Sequence, residues 1–312
     1  MRVHHLAPDL VLIDTGYQGT PDAIAVYLLL GERPALIETG PASVAEAVLA
    51  GVRAAGVDPQ DLRAAAVTHI HLDHAGGAGT LADRLPRLQV YVHPVGAPHL
   101  ADPARLLASA GRLYGDALQS LFGRTIPVPP DRLHILEDND AVLLGGRRLR
   151  ALHTPGHASH HHVYFDDASG DLFTGDVAGV VKPRSRYVAP PTPPPDLDFT
   201  AWRKTIQRLR DLRPERLLLT HFGPHTDSDD LLVQLWARLD AREHLAHEIA
   251  AAGWDAAQVA ARLQATVAQE MAEIGGAGQP AGMEVMMPMH NNVTGLLRYA
   301  QKLGGRAGVP PA

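Results

Sequence analysis

Ten residues, Thr68-His-Ile-His-Leu-Asp-His-Ala-Gly-Gly77, set His69, His71, Asp73 and His74 within six positions of one another. Neutral imidazole and carboxylate are the donors that zinc accepts, and iron or manganese as well. A lone His-x-His pair is weak, whereas four such donors in this order behind an apolar run point to a metal. The run Ala64-Ala-Ala-Val67 reads as a buried strand, and alternation carried onward would send His69, His71 and Asp73 to one side, with Ile70 and Leu72 on the other. His74 follows at the turn into a helix. Gly76-Gly77 removes side chains where backbone must pass close to whatever is bound.

Three more strand ends offer a donor: Thr154-Pro-Gly-His157, Thr174-Gly-Asp176 and Leu219-Thr-His221. Each alone is as well explained by a turn or a structural histidine; their shared setting behind the first motif gives them weight. The chain has no cysteine, so disulfides and thiolate ligands are excluded and any metal is held by nitrogen and oxygen. After Asp176 comes a loop with Lys182, Arg184, Arg186 and Tyr187, which could hold a substrate carboxylate or phosphate or simply be solvated. His160, His161 and His162 adjoin His157, but alternation turns at least one away, so they read as supporting or surface groups. His93, His99 and His225 read as structural, with His225 near enough to His221 to reach the cleft.

The elements that must position these residues follow from patterning. Strands are expected at 10–13, 23–30 and 35–39, then a helix from Ser43, as its cap, to about Ala55. Beyond the His-rich strand come a helix to about Leu85, a strand at 89–93 and an amphipathic helix over 103–114. A second β block follows: 132–136, a hairpin of 141–144 with 148–152, then 161–165 and 172–174. Pro190-Pro-Thr-Pro-Pro-Pro195 cannot join a sheet and reads as an extended surface loop. A helix at 199–212 leads to a strand over 216–220 that ends on His221. From about residue 227 the pattern is helical only, near 228–250, 255–274 and 291–303. The division expected is therefore a catalytic body over 1–226 and a helical C-terminal cap over 227–312.

With the ligand pattern in hand, the chain resembles the metallo-β-lactamase-fold hydrolases, in the glyoxalase II-like and lactonase-like dinuclear branch. Their succession of HxHxDH, a GH loop, a GD and a strand-terminal histidine is matched by His69, His71, Asp73, His74, His157, Asp176 and His221. The resemblance spans residues 1 to about 226. It implies an αββα sandwich of the α/β (α+β) class, with two facing mixed sheets, helices outside and a helical C-terminal extension. It also implies two divalent ions, zinc first, with iron or manganese as alternatives. His69, His71 and His157 would hold one, Asp73, His74 and His221 the other, and Asp176 would bridge them. A metal-bridging hydroxide would be the nucleophile, oriented by Asp73 as the catalytic carboxylate.

Departures narrow the branch. The bridging Asp176 and the missing cysteine ligand argue against a β-lactamase, and the intact HxHxDH against the flavodiiron reductases. Glu38 stands where relatives usually have aspartate. The activity expected is hydrolysis of a carboxyl ester, thioester or lactone. Phosphodiester or phosphomonoester hydrolysis on the same metals is the alternative, and a regulatory metal-binding protein with incidental turnover the third reading. Met283 to Met289 form a soft surface suited to an acyl chain or a partner helix, with core packing between terminal helices the favoured explanation.

Net charge of −6 and a pI near 6.3 argue against a general grip on nucleic acid. No apolar run approaches a membrane span, and the start lacks the core of a signal peptide, so a cytoplasmic protein acting on a small molecule is expected. A homodimer through the C-terminal helices is the assembly to test for.

Overall fold

A computed structural model of the protein describes residues 1–181, 185–274 and 282–306. The first of two sheets holds β1 (Arg2–Ala7), β2 (Leu10–Asp14), β3 (Ala25–Leu29), β4 (Ala35–Ile37), β5 (Ala64–Ala66), β6 (Gln89–Val92) and β7 (Leu133–Ile135) in chain order. It is antiparallel up to β4 and parallel from there to β7. The second sheet runs from β8 (Ala141–Leu144) through β9 (Arg147–His153), β10 (His162–Asp166), β11 (Asp171–Gly175) and β12 (Arg216–Leu219) to β13 (Gly223–His225). Only β11 and β12 are parallel in it.

Alternation along fully buried strands explains how the sheets stack. Leu10, Leu12, Tyr27 and Leu29 face Leu149, Tyr164, Phe173 and Leu218 in one cluster between the sheets. The rings of Tyr27 and Phe173 meet edge to face at 5.3 Å, and the Tyr27 hydroxyl donates to the Leu219 carbonyl at 2.6 Å. The intervening residues, such as Val11, Ile13, Val26 and Leu28, face outward onto helices. Those helices are α1 (Ala45–Ala54), α2 (Leu72–Ala75), α3 (Ala78–Arg84), α4 (Ala97–Ala101), α5 (Ala104–Tyr114), α6 (Leu118–Phe122) and α7 (Phe199–Leu212). The architecture is the expected αββα sandwich with a helical C-terminal part.

That part comprises α8 (Ser228–Ala252), α9 (Ala256–Glu273), α10 (Met283–Met286) and α11 (Met289–Arg306). Leu231, Leu232, Leu235 and Leu239 of α8 join the same apolar cluster as Trp202, Ile206 and Leu209 of α7. Between α8 and α9, Arg242 forms a two-pronged pair with Glu270 at 2.8 and 2.7 Å, buried on both sides.

Several local expectations change. Ser43 does not cap α1; it lies in a short 3-10 turn and its hydroxyl donates to the Leu121 carbonyl at 2.8 Å. β1 and β13 escape the patterning because both are edge strands, one half-exposed and rich in histidine, the other Gly-Pro-His. The proline segment is no surface loop. Pro190 to Thr192 are buried, and the Thr192 amide and hydroxyl both donate to Asn292 Oδ1 of α11, at 2.7 and 2.9 Å.

Candidate metal centre

β5 ends at Ala66, before any ligand is reached. Thr68 leaves the ladder because its amide donates to Glu38 Oε2 at 3.2 Å, while its carbonyl accepts from His162 of the second sheet at 2.9 Å. The chain then bends, and His71 becomes the residue that opens α2. Strand alternation therefore does not assemble His69, His71 and Asp73; a bend and one helical turn do.

Two clusters of donors result. Ring nitrogens of His69, His71 and His157 and a carboxylate oxygen of Asp176 lie within 4.8 Å of one another, and so do the donor atoms of Asp73, His74 and His221. Asp176 stands between them, with Oδ2 at 3.3 Å from His157 Nε2 and Oδ1 at 3.1 Å from His74 Nε2 and 3.4 Å from His221 Nε2. All seven residues singled out as ligands are thus brought together.

Neighbouring acceptors fix which ring nitrogen faces inward. His157 Nδ1 donates to the Pro191 carbonyl at 3.0 Å and His221 Nδ1 to the Ala23 carbonyl at 2.7 Å. A carbonyl can only accept, so each Nδ1 carries the proton and each Nε2 presents its lone pair. Glu38 sets two more. Its Oε1 accepts from His74 Nδ1 at 3.0 Å and from the Thr68 hydroxyl at 2.6 Å, and that hydroxyl in turn accepts from His69 Nδ1 at 3.1 Å. Thr220 adds a fourth hydrogen bond to this buried carboxylate at 3.2 Å. His71 presents Nδ1 instead, 2.9 Å from His69 Nε2 and 3.0 Å from His157 Nε2.

His74 Nε2 and His221 Nε2, whose rings both commit their Nδ1 proton outward, lie 3.3 Å apart, and two such lone pairs repel unless a cation lies between them. The buried Asp176 Oδ1 also has no hydrogen-bond donor. The residues present therefore fit divalent metal ions. Electrostatics divides the site accordingly. Burial and mutual repulsion lower His69, His71 and His157, with His71 at about 4, so these rings stay neutral. Burial also opposes charge on His74 and His221, yet Asp176 and Asp73 outweigh it and raise both. Burial would raise Asp73, but the charge that a second proton gives His74 and His221 when no ion is bound brings it down to about 2. Among the described residues no lysine or arginine pairs with Asp73 or Asp176, so only histidines and a bound cation can balance them.

Support extends one layer out. The Asp176 amide donates to His161 Nε2 at 3.3 Å, and His161 Nδ1 donates to the Thr154 hydroxyl at 2.8 Å. Gly175 lies between Thr68 and His161 with φ +52, where any side-chain carbon would collide with both, which is why the strand-ending position before Asp176 is glycine.

The clusters open onto a cavity of about 850 Å³. His71, Asp73, Asp176 and His221 border its inner end, with His160 beside them. Its apolar wall includes Leu106 and Leu113 of α5, Phe122, and Met286 and Met287, and the proline loop closes one side. Met283 and Met286 are also buried in the main apolar cluster, so the methionines serve core and cavity together.

The basic loop fares differently. Lys182 and Arg184 lie outside the described residues. Arg186 is exposed and Tyr187 is fully buried; neither lines the cavity. The Tyr187 hydroxyl donates to Glu270 Oε2 at 2.8 Å, so it faces the helices and not a substrate. His225 donates to the Phe222 carbonyl at 3.2 Å and lies outside the cavity, while His99 lines it. Sequence reasoning missed Tyr17, Tyr114 and Asn291, which line the cavity.

Two facing sheets and a buried histidine–carboxylate cluster of this kind define a metal-dependent hydrolase. The chain belongs to the metallo-beta-lactamase superfamily, whose family model matches residues 9–221. ST1585 of Sulfurisphaera tokodaii, a metallo-beta-lactamase fold-containing protein, is 30% identical over 209 residues, 65% of this chain and 74% of that one. Its solved structure has a TM-score of 0.62 over 74% of this chain and 86% of its own, at 26% identity. The metallo-beta-lactamase family protein TTHA1429 from Thermus thermophilus shares the fold over 99% of this chain and 97% of its own, with TM-score 0.68 and 22% identity. A hydroxyacylglutathione hydrolase of Synechococcus is 30% identical over 48% of this chain, and the match spans about half that enzyme, 47%. The acyl-coenzyme A thioesterase MBLAC2 of Gallus gallus is 33% identical over 39% of this chain and 43% of its own.

Proposed function

We propose that the protein is a dinuclear hydrolase of a carboxyl ester, thioester or lactone with an apolar acyl group. The observation that supports this above all is the pair of donor clusters sharing Asp176 at the inner end of a cavity walled by Leu113, Met286 and Met287. Relatives named as a hydroxyacylglutathione hydrolase and an acyl-coenzyme A thioesterase point the same way.

His69, His71 and His157 would hold one ion, Asp73, His74 and His221 the other, with Asp176 shared. When bound, two zinc ions, or iron or manganese on the same donors, supply a water activated near neutral pH and a Lewis acid for the acyl oxygen. The chain's own residues do the rest. Asp73, anionic throughout the working range, accepts a hydrogen bond from the attacking water and fixes its direction. Glu38 and the Pro191 and Ala23 carbonyls hold the imidazoles in one tautomer, so no proton moves on the ligands during turnover. The apolar wall excludes water from the acyl chain and gains from its burial.

A phosphodiester or phosphomonoester on the same site is the second reading, with a regulatory metal-binding role behind it. Arg105, Arg112 and Arg298 line the cavity without a carboxylate partner among the described residues, which favours a substrate carrying an anion. No helix among the described residues is long and apolar enough to cross a membrane.

The deciding experiment assays metal-analysed protein against esters and thioesters of graded acyl length, lactones and phosphodiesters. Turnover of phosphodiesters alone would overturn the acyl reading. Asp176→Ala retaining two ions per chain would overturn the shared ligand, and light scattering tests for a dimer.

A further inference from the structure

Tyr114 is the last residue of α5, and Asn291 lies in the first turn of α11, so the two helices that flank the cavity meet at this pair. The Tyr114 hydroxyl oxygen accepts from Asn291 Nδ2 at 2.7 Å. Its ring is braced edge to face against Phe122, with centroids 4.8 Å apart, and against His290 at 6.0 Å. With the oxygen already accepting, the hydroxyl proton has no acceptor among the described residues. Asn291 is 7% exposed, and its Oδ1 is buried without a partner. A buried amide whose oxygen finds no donor is costly, and an unsatisfied group of this kind calls for a functional explanation.

Tyr114 shares the cavity with Asp73, Asp176 and His221. Burial, and behind it the charge of Asp73, keeps its phenol protonated well beyond neutral pH. Tyr17 lines the same cavity but is only 4% exposed and is hydrogen-bonded by the Gln18 side chain. Of the two tyrosines, Tyr114 is the half-buried one whose hydroxyl a substrate in the cavity can reach.

We infer that Tyr114 is a catalytic residue whose hydroxyl donates a hydrogen bond to the substrate oxygen that becomes negative as water adds to the acyl carbon, with Asn291 as its positioning residue. The O–H bond stays intact. The new C–O bond comes from water, one of whose protons passes to the departing group; the electron pair of the acyl C=O moves to the carbonyl oxygen and returns as the bond to the leaving group breaks. A donor aimed at the developing charge stabilises the transition state more than the ground state, so its loss falls on kcat. This inference rests on the acyl-hydrolase reading.

The test uses the full chain loaded with metal, with p-nitrophenyl butyrate and bis(p-nitrophenyl) phosphate as probes. Tyr114→Phe keeps the ring packing and should lower kcat on the order of 100-fold, with KM and metal content close to wild type and a somewhat lower melting temperature because Asn291 Nδ2 loses its acceptor. Asn291→Asp turns the partner into a pure acceptor that captures the Tyr114 proton, so it should cost as much as Tyr114→Phe and add nothing to it. Asn291→Ala leaves the donor free but loosely held and should cost less. An unchanged kcat in Tyr114→Phe, or a fall accompanied by metal loss, overturns the inference. If only the phosphodiester is cleaved, the acyl reading fails and kcat on that probe judges Tyr114; if neither is cleaved, both fail.

Discussion

Asn292 and Thr192, one hundred positions apart, are joined twice: one Asn292 oxygen accepts both the amide and the hydroxyl of Thr192, at 2.7 and 2.9 Å. The residue before Thr192 is Pro191, whose carbonyl holds His157 Nδ1. A helix near the C-terminus thus governs the aim of a ligand in the sandwich. Gly295 makes this approach feasible, since a side-chain carbon there would run into the Thr192 carbonyl. Asn292→Ala and Gly295→Ala should each weaken metal retention about 10-fold or more, as loss of a partner behind a ligand does. Chelator competition followed by elemental analysis reads this directly; equal retention would separate α11 from the metal centre.

Glu38 carries a heavier load. Four donors converge on its buried carboxylate, three of them on Oε1. Glu38→Gln puts an NH₂ group against donors whichever way the amide turns, leaving at least one buried and unsatisfied, a penalty of about 1–3 kcal/mol. Both denaturant midpoint and metal affinity should drop. If affinity alone fell, the carboxylate would act through His74 and not through the fold.

The cavity wall makes a prediction about chain length. Met287 is partly buried and lines the cavity, whereas Met283 is core. Met287→Ser should lower kcat/KM for long acyl chains by a factor corresponding to about 1 kcal/mol, with short chains and metal content unaffected. Met283→Ser should instead lower the melting temperature. Equal losses for both chain lengths in Met287→Ser would make it core filler.

Acid stability should be set far from the metals. Arg147 pairs with Asp9, Asp166 and Asp171, and Arg216 holds Asp171 from the other side. Burial would raise Asp171, but hydrogen bonds from Arg216 and Arg147 outweigh it, and the Arg147 hydrogen bond likewise lowers Asp9. Both carboxyls are depressed in the folded state, so their contribution is present above the ordinary value of 3.8 and fades as pH falls below it. Arg147→Met should cost about 2 kcal/mol at pH 7, the remaining Arg216 pair limiting the damage. The cost should shrink towards pH 3 in urea titrations.

The candidate metal donors were legible because four of them sit in six residues and the other three lie shortly after strands, patterns that survive without tertiary knowledge. The longer strands and helices of the body were legible from local periodicity, while the edge strands β1 and β13 and the short α4 and α6 were not. What surrounds the ligands was not. Pro191 and Thr192 looked like surface because proline cannot join a sheet, yet their partners are His157 and Asn292, each more than thirty positions away. Tyr187 looked like a substrate contact because it follows Asp176 closely, and only the packing of α8 and α9 reveals that its hydroxyl is already taken. Tyr114 gave no signal at all, as an aromatic ending an amphipathic helix ordinarily packs inward.

The Tyr187, Glu270 and Arg242 arrangement has a consequence for anyone cutting this chain. Removing everything past residue 226 would strip Tyr187 of its acceptor and bare the face of α7 that Leu231, Leu232 and Leu235 cover. Excising α9 alone would remove the carboxylate that Arg242 pairs with and leave its charge only the Tyr187 hydroxyl at 3.3 Å. In this chain the helices and the sandwich should therefore be expressed as one piece.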